Sequence, residues 1–415
     1  MSKKKLVISI IIIAIVLLAV GLGVFLLNKK DSTDKTHKAE TTETTEVTEA
    51  NESTETTAAT ATTDKPDKAS EDASAGDSDD DFETLVANVT DIDMYGDFVL
   101  DISDLDLEYG DSINITASGG WTFEAIPFYP QFYGRKGSTV VSDYFHNIVI
   151  AGVGTALNKK ADVKVGETVT ITLDERGKYK RDFEAYDVDL NFVKMEGQTD
   201  EEFRNAREVT KGNIRPNTLY RGSSLTDKDF NRTELMDEYV QEHGIKCVLD
   251  LSDSEKRAKS AEGIPEHTKE MIESGQLIPL GIGVDFQDEN TKQALGQGFI
   301  KMTEMEGPYL VQCSYGKDRT GLIIALIEAL CGATYEEIID DYMLSYDWLH
   351  KINMDPSSYQ YTVFKQRIDD ELTDALGIPN EELPNADLAK ASYDYFIDCG
   401  MTNEQVDKFI DMLTK

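Results

Sequence analysis

The sequence predicts an α/β domain with a largely parallel sheet, preceded by a small all-β domain, a disordered stalk and one transmembrane helix. Three observations lead there. Leu6 to Leu27 is an unbroken apolar run; between Phe82 and about Phe192 short segments alternate apolar and polar residues between turn signals; after Gly197 buried-strand patterns alternate with helical periods. The corresponding boundaries are 1–30 for a membrane anchor, 31–81 for the stalk, 82–195 for the all-β domain and 196–415 for the α/β domain.

The apolar run is long enough to cross a bilayer as a helix. Lys3, Lys4 and Lys5 precede it, and Lys29 and Lys30 follow. A cleavable signal peptide has a shorter apolar region and a small-residue cleavage site, so the run reads as an uncleaved signal anchor. Lys35 and Lys38 make the basic count after the span at least equal to that before it, which leaves charge balance ambiguous about orientation. The short basic tail and the character of the following segment favour an N-terminus inside. The expectation is a single-pass protein of the cell membrane with its folded domains extracellular. From Asp31 to Asp81 the chain is mostly Thr, Glu, Ala, Ser and Asp, with no Phe, Tyr or Trp and one proline. Such a segment cannot bury a core, and its like charges keep it extended. With 78 acidic against 41 basic side chains the formal charge is -37, which argues against nucleic acid as a partner. The four cysteines are few for 415 residues and form no short-spacing pair, so a disulfide scaffold is not expected.

In the all-β region the expected strands are Val89 to Ile92, Phe98 to Ile102, Ser112 to Thr116, Ile148 to Ala151, Thr168 to Leu173 and Val188 to Phe192. Thr168 to Leu173 shows the period most plainly: Val169, Ile171 and Leu173 face one way and the three threonines the other, as in a half-buried antiparallel strand. A small barrel follows from such segments. Val89-Thr90-Asp91-Ile92-Asp93-Met94-Tyr95-Gly96-Asp97, with Gly110-Asp111 and the Thr168 to Leu173 strand, resembles the small β domain of the S-adenosylmethionine hydroxide adenosyltransferase family. That family's catalytic domain has no counterpart here, so the resemblance implies no activity and no binding residue. Asp101, Asp104 and Asp106 lack calcium-loop spacing and read as a solvated strand face; no metal site is expected.

In the α/β region, Gly244 to Leu251, Gln276 to Gly281 and Pro308 to Gln312 read as buried strands. Helical periods cover Leu322 to Leu330, Tyr335 to Tyr346, Tyr361 to Leu372 and Asn403 to Leu413. The residues between Gln312 and Leu322 are therefore a strand-to-helix turn, where inward backbone N–H groups and a helix N-terminus bind anions. Cys313 stands at its start and Arg319 six positions on, which makes C-x5-R. The helix dipole, Lys317 and Arg319 all favour a thiolate at Cys313. Arg319 can return across the cradle as a two-pronged donor to phosphate oxygens. The assembled chemistry is attack on phosphorus, a phosphocysteine and its hydrolysis. Asp318 can donate a proton to the leaving oxygen, cap the helix or bridge Arg319, and Asp285 is a rival acid. Thr320 can hydrogen-bond the departing thiolate. Ser314, Tyr315, Gly316, Lys317, Thr320 and Gly321 complete the expected phosphate-binding set.

Cys313-Ser314-Tyr315-Gly316-Lys317-Asp318-Arg319-Thr320-Gly321 is similar to the signature loop of the atypical bacterial tyrosine phosphatases, some of which also act on phosphoinositides. The likeness extends from about Asn205 to Lys415 and includes Leu219-Tyr220-Arg221-Gly222-Ser223-Ser224, the strand Val248-Leu249-Asp250-Leu251 with Asp253-Ser254-Glu255, and Gly283-Val284-Asp285-Phe286. It implies a phosphatase domain with Cys313 as nucleophile, Arg319 on phosphate, Asp318 as candidate acid and Lys317 on phosphate, using no cofactor. The implied partner is a phosphorylated protein or phosphoinositide. One departure is Gln312, where the family usually has His; a neutral amide there puts the degree of thiolate stabilisation in question. A catalytically weak phospho-ligand-binding surface protein is the alternative. Arg221 can hold the loop, touch substrate or make a structural ion pair.

Overall fold

The computed structural model of the chain describes residues 84–415 except 94–95, 136, 145–146, 154–156, 189–192 and 229–230. Seven strands come first: β1 (Leu85–Ile92), β2 (Phe98–Leu100), β3 (Ser112–Ala117), β4 (Thr122–Tyr129), β5 (Thr139–Tyr144), β6 (Asn147–Gly152) and β7 (Thr168–Glu175). They close a barrel in the order β1-β2-β6-β5-β4-β3-β7, with β7 pairing back onto β1. The period-2 pattern carries it: in β7 Val169 and Ile171 are buried while Thr168, Thr170 and Thr172 are half-buried. Phe98, Ile113, Ile115 and Ile150 fill the interior. Closure also removes the unpaired edges that an open sheet presents.

The barrel is mixed, because β4 and β5 run parallel. Neither strand is apparent in the sequence. Pro127 lies inside β4, and Ala125 takes a left-handed conformation (φ 52°) within it, so its alternation is broken. The strand expected at Val188 to Phe192 falls on residues 189–192, outside the described residues, and Val188 is in no strand.

The C-terminal part contains α1 (Lys180–Tyr186), α2 (Asp200–Arg204), β8 (Arg207–Glu208), β9 (Leu219–Gly222), α3 (Thr233–Glu242), β10 (Cys247–Asp250), α4 (Glu255–Lys259), α5 (Glu266–Ser274) and β11 (Leu277–Pro279). There follow α6 (Glu289–Thr303), β12 (Tyr309–Gln312), α7 (Asp318–Leu330), α8 (Tyr335–His350), α9 (Tyr359–Leu376), α10 (Leu388–Asp398) and α11 (Asn403–Thr414). The sheet order is β11-β10-β12-β9-β8.

The expectation of a largely parallel α/β sheet after an all-β domain is corrected to a closed mixed barrel and a separate mixed sheet. In the second sheet β11, β10, β12 and β9 are parallel neighbours, and β8 pairs antiparallel with β9 at the edge. The reason is local. Antiparallel partners need no crossover, and the β8–β9 connection turns at Gly212 (φ 65°) and Asn217 (φ 58°) instead of entering a helix. Side chains alternate across the sheet, with Val248 and Leu310 in one core and Leu249 and Val311 in the other. Against the second lies α7, whose residues Leu322 to Leu330 are all buried.

The expected transmembrane helix (Leu6 to Leu27) and the stalk lie outside the described residues. Among the described residues no helix is long and apolar enough to cross a membrane. The longest, α9, carries Lys365, Arg367, Asp369, Asp370 and Glu371, charges that a bilayer-spanning segment does not tolerate. The single-pass cell-membrane location is corrected on the same ground.

Candidate active site

Strand β12 delivers Cys313, which is buried, to the foot of α7, and the chain turns through Ser314 to Lys317 before the helix begins at Asp318. The turn is tight: Gly316 N–H donates to the Cys313 carbonyl at 3.3 Å, and Gly316 sits at φ 65°. A Cβ there would meet the Gly222 carbonyl carbon and oxygen at 2.5 Å, so the loop lies directly on the end of β9. The first amides of α7 have no acceptor within the helix and face this end.

Three successive loop carbonyls are held from behind. Ser224 N–H donates to the Ser314 carbonyl at 3.3 Å. Asn205 Nδ2 donates to the carbonyls of Tyr315 and Gly316, each at 3.0 Å, and Arg221 Nη2 donates to that of Gly316 at 2.9 Å. In a planar trans peptide the C=O and N–H point in opposite directions. Turning these carbonyls outward therefore aims the amides of Tyr315 and Lys317 to the concave side of the loop.

The holding residues are themselves fixed by buried charge. Arg221 is fully buried and pairs with Asp341, which also accepts from Arg207 Nε at 2.7 Å. Arg207 further donates to Asn205 Oδ1 at 3.0 Å and to Ser345 Oγ at 3.1 Å. Burial alone raises the pKa of Asp341, but Arg207 and Arg221 bring it down to about 2. Glu328, one helical face behind, is buried with no hydrogen-bond partner on either oxygen among the described residues. Burial, aided by Asp341, holds its carboxyl well above the usual range.

Arg319 returns across the loop, its Nη2 donating to Ser314 Oγ at 3.3 Å and its Nη1 to the Ile282 carbonyl at 3.1 Å. Asp318 is 43% exposed beside it and accepts from the Tyr346 hydroxyl at 3.2 Å. Its burial works to raise the pKa, but Lys317 and Arg367 outweigh it and hold the carboxyl below the usual range. The Lys317 ammonium lies 3.1 Å from His350 Nε2, over the Tyr346 ring at 4.8 Å and 3.7 Å from Asp318 Oδ2. Burial lowers its pKa against the opposing pull of Asp318. Thr320 is buried with its hydroxyl unpartnered among the described residues, and Gly321 leaves space for Tyr342, whose ring a Cβ would meet at 2.6 Å. Gln312 Oε1 accepts from Leu225 N–H at 3.3 Å and so steadies the segment that bears Ser224, while its buried Nε2 has no partner among the described residues.

Arg319 and Asp318 line one cleft, whereas Asp285 is exposed and bonds its own turn, accepting from Gln287 N–H at 3.1 Å. A cleft of about 260 Å3 opens over Asp318, Arg319, Tyr342 and Arg367. The four cysteines are free thiols. Burial pushes Cys247, Cys331 and Cys399 up to about 12, as suits core residues. Asn205, Arg207, Asp341, Ser345 and Arg367 are the site residues that sequence reasoning misses. One signal was available: Asn205 ends α2 at φ 50°, the left-handed cap that Asn favours, after the Thr199–Glu202 capping box.

A buried thiol and a returning arginine thus share one strand-to-helix loop. The model of the tyrosine phosphatase family matches residues 201–415, and the chain belongs to that family. No curated protein matches the chain. Among solved structures it is similar to the crystal structure of an uncharacterized conserved protein from Thermotoga maritima, with 19% identity over 21% of this chain and 35% of that chain and a TM-score of 0.19. The chain thus spans about a third of that relative's length. The likeness of the barrel to the adenosyltransferase small domain is not shown by these comparisons.

Proposed function

We propose that the chain is a cysteine-dependent protein tyrosine phosphatase that hydrolyses phosphate monoesters through a phosphocysteine. The observation that carries this reading is the loop itself, with a buried Cys313 at its start, Arg319 folded back over Ser314 and three carbonyls turned outward. Phosphate enters the concave side, where the amides and Arg319 neutralise its oxygens. Cys313 Sγ attacks phosphorus and the P–O bond to the leaving group breaks, with Asp318 supplying the proton to that oxygen. Water then attacks the phosphocysteine, Asp318 takes its proton, and phosphate leaves as the thiolate is restored. Thr320, whose hydroxyl is unpartnered among the described residues, stabilises that thiolate. The 82–195 and 196–415 division remains our assignment of the barrel and phosphatase domains.

The test is hydrolysis of p-nitrophenyl phosphate and of a phosphotyrosyl peptide by the full chain under reducing conditions. Turnover inhibited by vanadate and abolished in Cys313→Ser supports the reading. Binding of the phosphopeptide without any turnover would replace it with phospho-ligand binding.

A further inference from the structure

The parallel pairing of β4 and β5 means that the segment between them must leave the barrel wall and come back, and it does so over the phosphatase cleft. Phe132 and Gly134 of this segment, with Val153 just after β6, line the same cleft as Arg319. Facing them are Val284 and Phe286, from the loop after β11. The segment is fastened at both sides. Arg135 donates to both carboxylate oxygens of Asp370 on α9, at 2.7 and 3.1 Å, and Tyr133 stacks on Tyr186 with ring centres 5.7 Å apart. Asp370 is held in turn by Asn380 Nδ2 at 2.8 Å and Gln366 Nε2 at 2.9 Å. The helix that carries Asp370 also places Arg367 in the cleft.

The cleft is therefore lined by apolar side chains from both the barrel and the loop after β11, together with the guanidiniums of Arg319 and Arg367 and the carboxylates of Asp318, Asp370 and Glu371. At about 260 Å3 it lies below the roughly 300–1,000 Å3 of sites for larger ligands. A flat apolar group with one phosphate suits it: the faces of a ring bury against apolar walls, while the phosphate reaches Arg319.

We propose that the barrel is part of the substrate site, with Phe132 and Val153 as specificity-determining residues that form the wall against the ring of an aryl monophosphate. This rests on the phosphatase reading above. The barrel then acts in cis to set aryl over alkyl preference, and the Arg135–Asp370 pair is the positioning contact that holds the wall in place. Removing one apolar wall takes away binding that ground state and transition state share, so KM rises while kcat changes little.

The experiment measures kcat and KM of the full chain on two peptides of identical sequence, one phosphotyrosyl and one phosphoseryl, for wild type, Phe132→Ala and Arg135→Ala. Loss of a ring-face contact should lower kcat/KM for the phosphotyrosyl peptide by about 10-fold, chiefly through KM, and leave that for the phosphoseryl peptide within about 2-fold. Arg135→Ala should shift the ratio the same way. Its side chain is 61% exposed, so it tests the wall even if Phe132→Ala does not fold. Turnover of both peptides with an unchanged ratio in Arg135→Ala, or an equal loss on both, overturns the wall and leaves the phosphatase reading standing. Wild type that turns over neither peptide nor p-nitrophenyl phosphate overturns both.

Discussion

Replacing Gly316 by alanine tests the geometry of the loop with a single methyl group. A Cβ at this position would lie 2.5 Å from both the carbon and the oxygen of the Gly222 carbonyl and 2.8 Å from Ser223 N. Ordinary contact begins at 3.4 Å, so the loop and the end of β9 must separate by about 0.9 Å, the difference of the two distances. The obstacle is backbone rather than a pliable side chain, and β9 is paired on both sides with β12 and β8. The loop therefore gives way. The left-handed φ of 65° adds a strain of about 1 kcal/mol for any residue with a Cβ. A displacement of about 1 Å in a site that works by alignment costs on the order of 100-fold in rate. Steady-state hydrolysis of p-nitrophenyl phosphate by Gly316→Ala should show that loss mainly in kcat, with circular dichroism matching wild type and a melting temperature lower by a few degrees. A folded Gly316→Ala with kcat within 3-fold of wild type would refute the reasoning, because the cradle would then tolerate the shift.

Asp341→Asn leaves Arg207 and Arg221 buried without their shared carboxylate and should cost about 3–5 kcal/mol in urea unfolding. In wild type the Asp341 carboxyl is lowered from 3.8 to about 2, so its stabilisation is present above the unfolded value and is lost as pH falls through about 2. That is about 2 kcal/mol, and the Asp341→Asn variant lacks this acid-side slope. Glu328 has the opposite sign, because its raised folded value favours the fold at low pH and the benefit is lost as pH rises. Glu328→Gln should therefore raise the urea midpoint at neutral pH, and a midpoint that falls counts against the assignment. For Asp318, a lowered pKa means that its protonated fraction declines as pH rises through the acid range. The kcat/KM profile should fall with pH there, and Asp318→Asn should flatten that limb and slow alkyl phosphates more than p-nitrophenyl phosphate, whose leaving group needs no proton. At pH 7, iodoacetamide should modify Cys313 with loss of activity and spare Cys247, Cys331 and Cys399, as peptide mapping by mass spectrometry would show.

What the sequence made legible is local. The loop from Cys313 to Gly321 is one continuous stretch between a β-rich and an apolar helical segment, so strand, turn and helix could be placed from adjacent residues. Helices α7, α8, α9 and α11 lie within a few residues of the periods read at Leu322, Tyr335, Tyr361 and Asn403. What remained hidden depends on contacts distant in the chain. Arg207 and Arg221 meet Asp341 across 134 and 120 positions, and nothing in the spacing of single arginines announces a shared partner. The antiparallel edge strand β8 is two residues long, too short to carry a period. Strand β4 hid its alternation behind Ala125 and Pro127, and with it went the parallel pairing that sends Phe132 over the cleft.

The same distinction explains how the site divides its work. Groups that meet phosphate must sit within one loop, because a cradle of consecutive amides can be built only from consecutive residues. Groups that aim those amides need only reach the outward carbonyls: Asn205 at the end of α2 and Arg221 on β9 do so, and Arg207 on β8 with Asp341 and Ser345 on α8 hold them in place. Such a clamp is made of buried charge, which is costly unless fully paired. Here Asp341 joins two guanidiniums, and burial holds the carboxyl of Glu328, unpartnered among the described residues, well above the usual range. Apolar side chains of equal volume could fill that space with less desolvation, but they could not donate to the Gly316 carbonyl. Arg221 has two jobs in this arrangement: it pairs with Asp341 and it holds the Gly316 carbonyl, which turns a loop peptide toward the concave side.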